Sequence, residues 1–279
     1  KQLKLDPFPF VMTEVLSSDI GGMATLIGDP TQLIIGSEGK LSFNEFLFNT
    51  APMTIVALTI LLTVVYFTNI RKMKVPNSLK AQIMELESDR ILTDKKLLKQ
   101  SIIILSAVIM GFVLNNFVNK GLSVISLSGG ILLAFLTERE PKKIFGGVEW
   151  DTLFFFIGLF VMIRGIENLG VIKFIGDKII KMSTGNFEVA SISIMWLSSI
   201  FTSIFGNVAN AATFSKIIKT VIPDFQSVVD TKIFWWALSF GSCLGGSITM
   251  IGSATNVVAV SASAKAGCKI MFPENYIGE

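Results

Sequence analysis

The chain has 279 residues, 51% of them hydrophobic and only 16% charged, with a mean hydropathy of +0.64. So little charge cannot cover a soluble domain of this length, and the composition points to an integral membrane protein. A dispersed net charge of +3 offers no footprint for nucleic acid, and the absence of histidine excludes His-based zinc sites and His-dependent triads.

In chain order, the first element is the stretch SSDIGGMATLIGDPTQLIIGS, residues 17–37. It sets three glycines before a proline, and two aspartates, in an apolar neighbourhood. Asp29–Pro30 reads as the end of a broken segment, because proline cannot continue a helix that needs its amide. Phe46–Ile70 is then long and apolar enough to cross a bilayer, which takes roughly 20 residues. Arg71–Gln100 carries eight Lys/Arg against four acids and is expected on the cytoplasmic side. Within it, LKAQIMELESDRIL suits a short amphipathic helix on the membrane surface, or simply a solvated linker.

Ser101–Asn119 is expected to run outward and Gly121–Thr137 to return, which puts TEREPKKIFGGVEWD inside. Thr152–Leu169 then runs outward, interrupted by Arg164. Lys173, Lys178 and Lys181 would lie outside, a mild breach of the positive-inside rule. Val189–Ser215 is too long for an easy single span, and Gly206, Asn207 and Asn210 sit at its centre. It reads either as a re-entrant hairpin with a polar tip buried in protein or as one tilted helix whose asparagines bond its neighbours. Ile233–Ala264 contains Gly241, Gly245, Gly246 and Gly252, each costing up to about 1 kcal/mol in a helix interior, and reads as a helix broken midway. Cys243 and Cys268 read as small packing residues. Clean period-two alternation is absent, so the expected class is an all-α integral membrane protein and not a barrel.

The two glycine-rich segments repeat each other. SDIGGMATLIGDPTQLIIGS aligns with SCLGGSITMIGSATNVVAVS at an offset of 224 residues, matching Ser18 with Ser242, Gly21 with Gly245, Gly22 with Gly246, Thr25 with Thr249 and Gly28 with Gly252. LSFNEFL and IMFPENYI extend the likeness. Paired glycine-interrupted segments point to a transporter binding site, since a broken helix frees carbonyls for a cation and amide groups for an anion. The alternative is that the glycines only allow close helix packing. The repeat divides the chain into residues 1–70 (the end of a first repeat), a linker 71–100, and a second repeat 101–279 with the hairpin at 189–220 and the broken helix at 232–265. A first-repeat hairpin would fall before residue 1, so the chain is expected to lack the N-terminal part of that repeat.

LSSDIGGMATLIGDPTQLIIGS resembles the S-N-I-G-G-T-A-T-L-I-G-D-P-P-N-I-I-I-G signature of the ion transporter superfamily, in the branch of arsenite permeases, the melanosomal P protein and citrate or sodium–proton transporters. FWWALSFGSCLGGSITMIGSATNVVAVSASAKAG is similar to its second motif, and VEWDTLFFFIGLFVM and SIFGNVANAATFSKII fit the helix and hairpin between. The resemblance implies an inverted-repeat fold with a scaffold, a mobile transport part, two re-entrant hairpins and two unwound helices. It implies a site at Ser18, Asp19, Gly21, Gly22, Thr25, Asp29, Asn207, Thr213, Gly245, Gly246, Ser247, Thr249 and Asn256, with Na⁺ near Asp19, Gly21, Asn207 and Gly245. The chain departs from the pattern at Asp19 (Asn in the family), Met23 (Thr), Thr31–Gln32 (Pro-Asn), Gly206 (Asp) and Ser247 (Asn). An intramembrane carboxylate is functional by default, so Asp19 reads as a coupling group; the alternative is a structural cap of a half-helix.

The expected function is therefore secondary active transport of a small anion or metalloid oxyanion (arsenite-, citrate- or dicarboxylate-like), coupled to Na⁺ or H⁺ by alternating access. A cation/proton antiporter of the same fold and a non-transporting scaffold are the alternatives; nothing in the sequence supports an enzyme. Membrane lipid and a small solute are the expected partners, with a homodimer allowed. The plasma or inner membrane is the expected location, an organelle membrane the alternative.

Overall fold

A computed structural model of the protein describes residues 8–72, 94–115, 121–137, 141–148, 150–225 and 230–265. These residues form α-helices and short 3₁₀ turns, with no strand among them. The amphipathic segment expected at LKAQIMELESDRIL and the residue Cys268 lie outside the described residues. The helices are α1 (Phe8–Gly22), α2 (Pro30–Gly39), α3 (Phe43–Thr68), α4 (Lys95–Val113), α5 (Leu122–Leu136), α6 (Pro141–Gly146), α7 (Trp150–Asn168), α8 (Val171–Ser183), α9 (Phe187–Phe205), α10 (Asn207–Val221), α11 (Lys232–Gly246) and α12 (Ala254–Lys265). Helices α3, α4 and α9 are long and apolar enough to cross a membrane. Many of their large apolar side chains face outward, among them Phe48, Ile55 and Ile103, as lipid-facing residues do because hydrocarbon tails take the place of water.

The chain forms two compact units. One draws on residues 42–44 and 74–156. Asp94 caps α4 by accepting from the amide of Leu97 at 2.8 Å. Helices α4 and α5 approach closely at glycines: a Cβ on Gly111 would come within 2.9 Å of Ile125, and one on Gly129 would overlap Val108. The first turn of α3 is tied to the end of α4, with Asn44 donating to the Val113 carbonyl at 2.9 Å and the rings of Phe43 and Phe112 5.8 Å apart.

The second unit comprises residues 5–41, 45–73 and 157–279 and holds both glycine-rich segments. The run at 189–215 is a hairpin. Its two limbs, α9 and α10, meet at Gly206, whose φ of +86° is available to glycine without strain. Phe201 and Phe214 lie 13 residues apart, about 20 Å along a straight helix, yet their ring centroids are 5.7 Å apart. The chain has therefore folded back on itself. Helix α11 runs along α9 at backbone contact, because a Cβ on Gly241 would overlap the Met195 carbonyl and one on Gly245 the Ser199 carbonyl. Helix α8 leaves α7 at 66° and lies on α10, with Gly176 against Thr220.

The sequence repeat is also a structural one. Shifting α1, residues 8–22, by the 224-residue offset gives 232–246, the bounds of α11. Both helices stop at a Gly-Gly pair and both restart after seven residues, at Pro30 and at Ala254. The turns between them share their bonds: the amides of Ala24 and Gly28 reach Gly21 and Thr25, as those of Ile248 and Gly252 reach Gly245 and Thr249. In each break the chain crosses itself at glycine, since a Cβ on Gly28 would overlap the Gly22 carbonyl and one on Gly252 would stand 2.7 Å from that of Gly246. The halves pack crosswise, α1 on α12 and α2 on α11, as two broken helices exchanged by a two-fold axis would.

Candidate functional site

Each restart of a broken helix has its own cap. Asp29 Oδ1 accepts from the Thr31 amide at 2.7 Å, and Ser253, in the corresponding position, accepts from the Thr255 amide at 3.3 Å. The hairpin tip closes over both breaks. The Asn207 amide donates to the Gly252 carbonyl at 2.9 Å, and its side-chain Nδ2 donates to Asp29 Oδ2 at 3.0 Å. Both oxygens of Asp29 are thus satisfied, and the start of α2 adds favourable partial positive charge.

Asp19 is placed differently. It is 7% exposed and sits in the last turn of α1, where the helix dipole is negative. Ser253 donates to its Oδ1 at 2.8 Å. Its Oδ2 is buried and accepts no hydrogen bond among the described residues. Ser247 lies near the carboxyl, but its hydroxyl donates to the Cys243 carbonyl at 3.3 Å.

Asp19, Asp29 and Asn207 line one small cavity, together with Thr31, Gln32, Ser242 and Cys243. Around it, Asn210 donates to Ser242 Oγ at 2.6 Å, Ser239 donates to Gln32 Oε1 at 2.8 Å, and the Cys243 thiol donates to the Asp19 carbonyl at 3.4 Å. Among the described residues, no Lys or Arg lines the cavity. Among the described residues no three His, Cys, Asp or Glu side chains cluster as metal ligands.

The other expected residues surround this cavity without lining it. Gly21, Gly22 and Thr25 build the first break. Gly245 is turned toward the Ser199 carbonyl of α9, so its small size serves helix packing. Gly246 belongs to the second break, and its carbonyl accepts from Asn256 Nδ2 at 2.8 Å; the same nitrogen reaches the Thr249 carbonyl, also at 2.8 Å. Asn256 thereby clamps the break. Thr249 donates to the Ser203 carbonyl at 2.6 Å, tying the break to the end of α9. Thr213 is buried within α10, and Ser18 is exposed in a groove between α1 and α12. Of the four groups expected around Na⁺, Asp19 and Asn207 share the cavity, while Gly21 and Gly245 do not line it.

Gln32, Thr31, Ser242, Cys243 and Ser253 were not expected at the site. The repeat carried the missing signal: Cys243 occupies the column of Asp19, Ser253 that of Asp29, and Gln32 that of Asn256.

At the polar end of α2, Glu38 pairs with Lys219 and with Lys216, the latter at 3.7 Å. Burial acts to raise the Glu38 carboxyl, but the hydrogen bond from Lys219 and the charges of both lysines outweigh it and hold the group below its ordinary value. Glu45 and Lys232 form a second ion pair, between α3 and α11.

A family model described as citrate transporter, CitMHS, matches residues 1–241. The chain is similar to a 46 kDa membrane protein of Mycobacterium leprae, 30% identical over 274 residues, covering 98% of this chain and 64% of that protein. An uncharacterized transporter of Mycobacterium tuberculosis is 30% identical over 275 residues, 98% of this chain and 63% of its own length. The mouse P protein is 28% identical over 349 residues, 98% of this chain and 42% of its own. The chain thus spans less than two thirds of these relatives. With its two broken helices and its hairpin, the protein is an integral membrane protein that belongs to the citrate transporter family.

Proposed function

We propose that the protein is a secondary active transporter for a small anion, a carboxylate or a metalloid oxyanion, coupled to Na⁺ or H⁺ through Asp19. One observation carries the reading: Asp19 is buried at the meeting of both helix breaks and the hairpin tip, with one carboxylate oxygen that has no hydrogen-bond partner among the described residues. A buried carboxylate beside the negative end of α1 needs a compensating cation or proton. The Asn207 side chain and the Thr31 amide, both now bonded to Asp29, are the donors that an entering anion would take over once Asp19 is neutralised. A cation or proton bound at Asp19 offsets its charge and lets the anion enter, and leaving together empties the site for the return. This links the two fluxes.

The experiment is uptake by the full chain in proteoliposomes, with labelled citrate, dicarboxylates and arsenite under imposed Na⁺ or pH gradients. Accumulation of one solute, driven by one gradient and lost in Asp19→Asn, is expected. No accumulation of any solute under either gradient would overturn the reading. The two aspartates, with no cationic side chain beside them among the described residues, favour, as a second reading, a cation/proton antiporter; gradient-driven proton movement without any anion would select it.

A further inference from the structure

Helices α7 and α8 form a bent apolar pair that together has the length and composition of one span. The 19 residues of α7 measure about 28 Å, close to the roughly 30 Å hydrocarbon core of a bilayer. The chain then turns at Gly170, φ +76°, and α8 departs at 66°. Three exposed lysines on α8 could not sit in hydrocarbon, so the bend is best used to lay this helix at headgroup level.

Its side chains divide accordingly. Ile172, Gly176 and Ile179 are buried, and this face rests on α10. The opposite face mixes exposed Phe174 and Met182 with Lys173, Lys178 and Lys181. That mixture suits the boundary between acyl chains and headgroups, where apolar groups dip inward and lysines reach out.

The three lysines make no ion pair among the described residues. Asp177 stands one turn from both Lys173 and Lys181 and pairs with neither, and the Lys178 ammonium lies 5.6 Å from the centre of the Phe174 ring. Elsewhere, Lys216, Lys219, Lys232 and Arg164 hold carboxylates. We propose that the outward face of α8 binds anionic phospholipid headgroups, with Lys173, Lys178 and Lys181 as their counter-charges. The same contact explains three lysines after an outward span, a breach of the charge rule for loops: they belong to a helix lying in the interface.

The test is native mass spectrometry of the full chain in mild detergent, titrated with phosphatidylglycerol or phosphatidylcholine. The wild type is expected to retain phosphatidylglycerol preferentially. K173Q/K178Q/K181Q is expected to lose that preference roughly tenfold or more, since each lysine near an anionic surface contributes severalfold, while K173R/K178R/K181R keeps it. Equal retention of both lipids by the wild type, or an unchanged preference in the glutamine variant, would overturn the proposal. So would displacement of the lipid by inorganic phosphate, which would assign the lysines to a free anion. If the triple glutamine variant does not fold, the three single variants are read by the same criteria.

Discussion

Ser253 donates to Asp19 at 2.8 Å, and the repeat exchanges this pair for Asp29 and Cys243, which line the same cavity. The two-fold relation thus sets an acid beside a small neutral group on both sides, but with the acid drawn from α1 in one pair and from the start of α2 in the other. Asp29 is capped and satisfied, whereas Asp19 keeps a buried oxygen with no hydrogen bond from the described residues.

That difference separates two substitutions at residue 19. In Asp19→Asn the side-chain oxygen still accepts from Ser253, so the melting temperature in detergent should change little. Asp19→Ala leaves the Ser253 hydroxyl without this acceptor and should destabilise by about 1–3 kcal/mol. Gradient-driven uptake should fall in both, by about tenfold or more if the interaction lost is worth at least about 1.4 kcal/mol in the transport step. Uptake at wild-type rate and with wild-type ion dependence in Asp19→Asn would make the residue a structural cap.

The contact between the hairpin tip and the first break can be tested by reversal. Asn207→Asp would place two carboxylates at the position of a 3.0 Å hydrogen bond, and like charges at that distance repel strongly. The single variant should lower both stability and uptake. Adding Asp29→Asn restores one acid and one amide, so the double variant should recover a coupling energy of roughly 1.5–3 kcal/mol, as for hydrogen bonds to charged groups. Strictly additive effects in the cycle would mean that the tip does not make this bond.

The glycines of the repeated motif perform different tasks, which alanine substitution should expose. Gly245→Ala meets the Ser199 carbonyl and should destabilise by about 1–3 kcal/mol through overpacking. Gly21, one repeat away, has nothing within 4 Å of an added Cβ, so Gly21→Ala should be neutral or stabilise by up to about 1 kcal/mol. Thermal unfolding of the two variants side by side decides the matter; equal losses would contradict the close α9–α11 contact.

The breaks were legible because a Gly-Gly pair recurs 224 residues later, and the hairpin because Gly206 and Asn207 interrupt an apolar run. The assignment of side chains to the cavity was less so. Gly245 stands in the repeated signature, but with Gly241 it also forms a small-xxx-small contact, and a motif read alone cannot separate the two uses. Gln32 and Asn256 share a column yet diverge: Gln32 lines the cavity and bonds Ser239, while Asn256 folds onto its own break. Partner choice depends on the crosswise packing of the repeats, which a linear alignment does not contain.

Cys243 offers a direct probe of the cavity. In a Cys268→Ser background, a small methanethiosulfonate reagent should modify Cys243 only slowly, when the water-sized cavity opens during the transport cycle. Modification should block uptake, and the transported solute should slow it severalfold further by occupying the same space. Modification at a rate unaffected by any solute that the protein accumulates would place binding elsewhere.

The Glu38 cluster gives the acid dependence of folding a definite sign. The lysines hold the folded carboxyl below its ordinary value of 4.5, so the pairing stabilises the protein fully at pH values above the unfolded value. That contribution fades as pH falls through the unfolded value and then the lower folded one. Partial exposure screens the pair, which limits it to about 1 kcal/mol or less. Glu38→Gln should therefore melt slightly below the wild type near neutrality, and the two curves should converge as the solution is acidified past the usual glutamate range. A gap that persists or widens in acid would mean that Glu38 acts through packing and not through its charge.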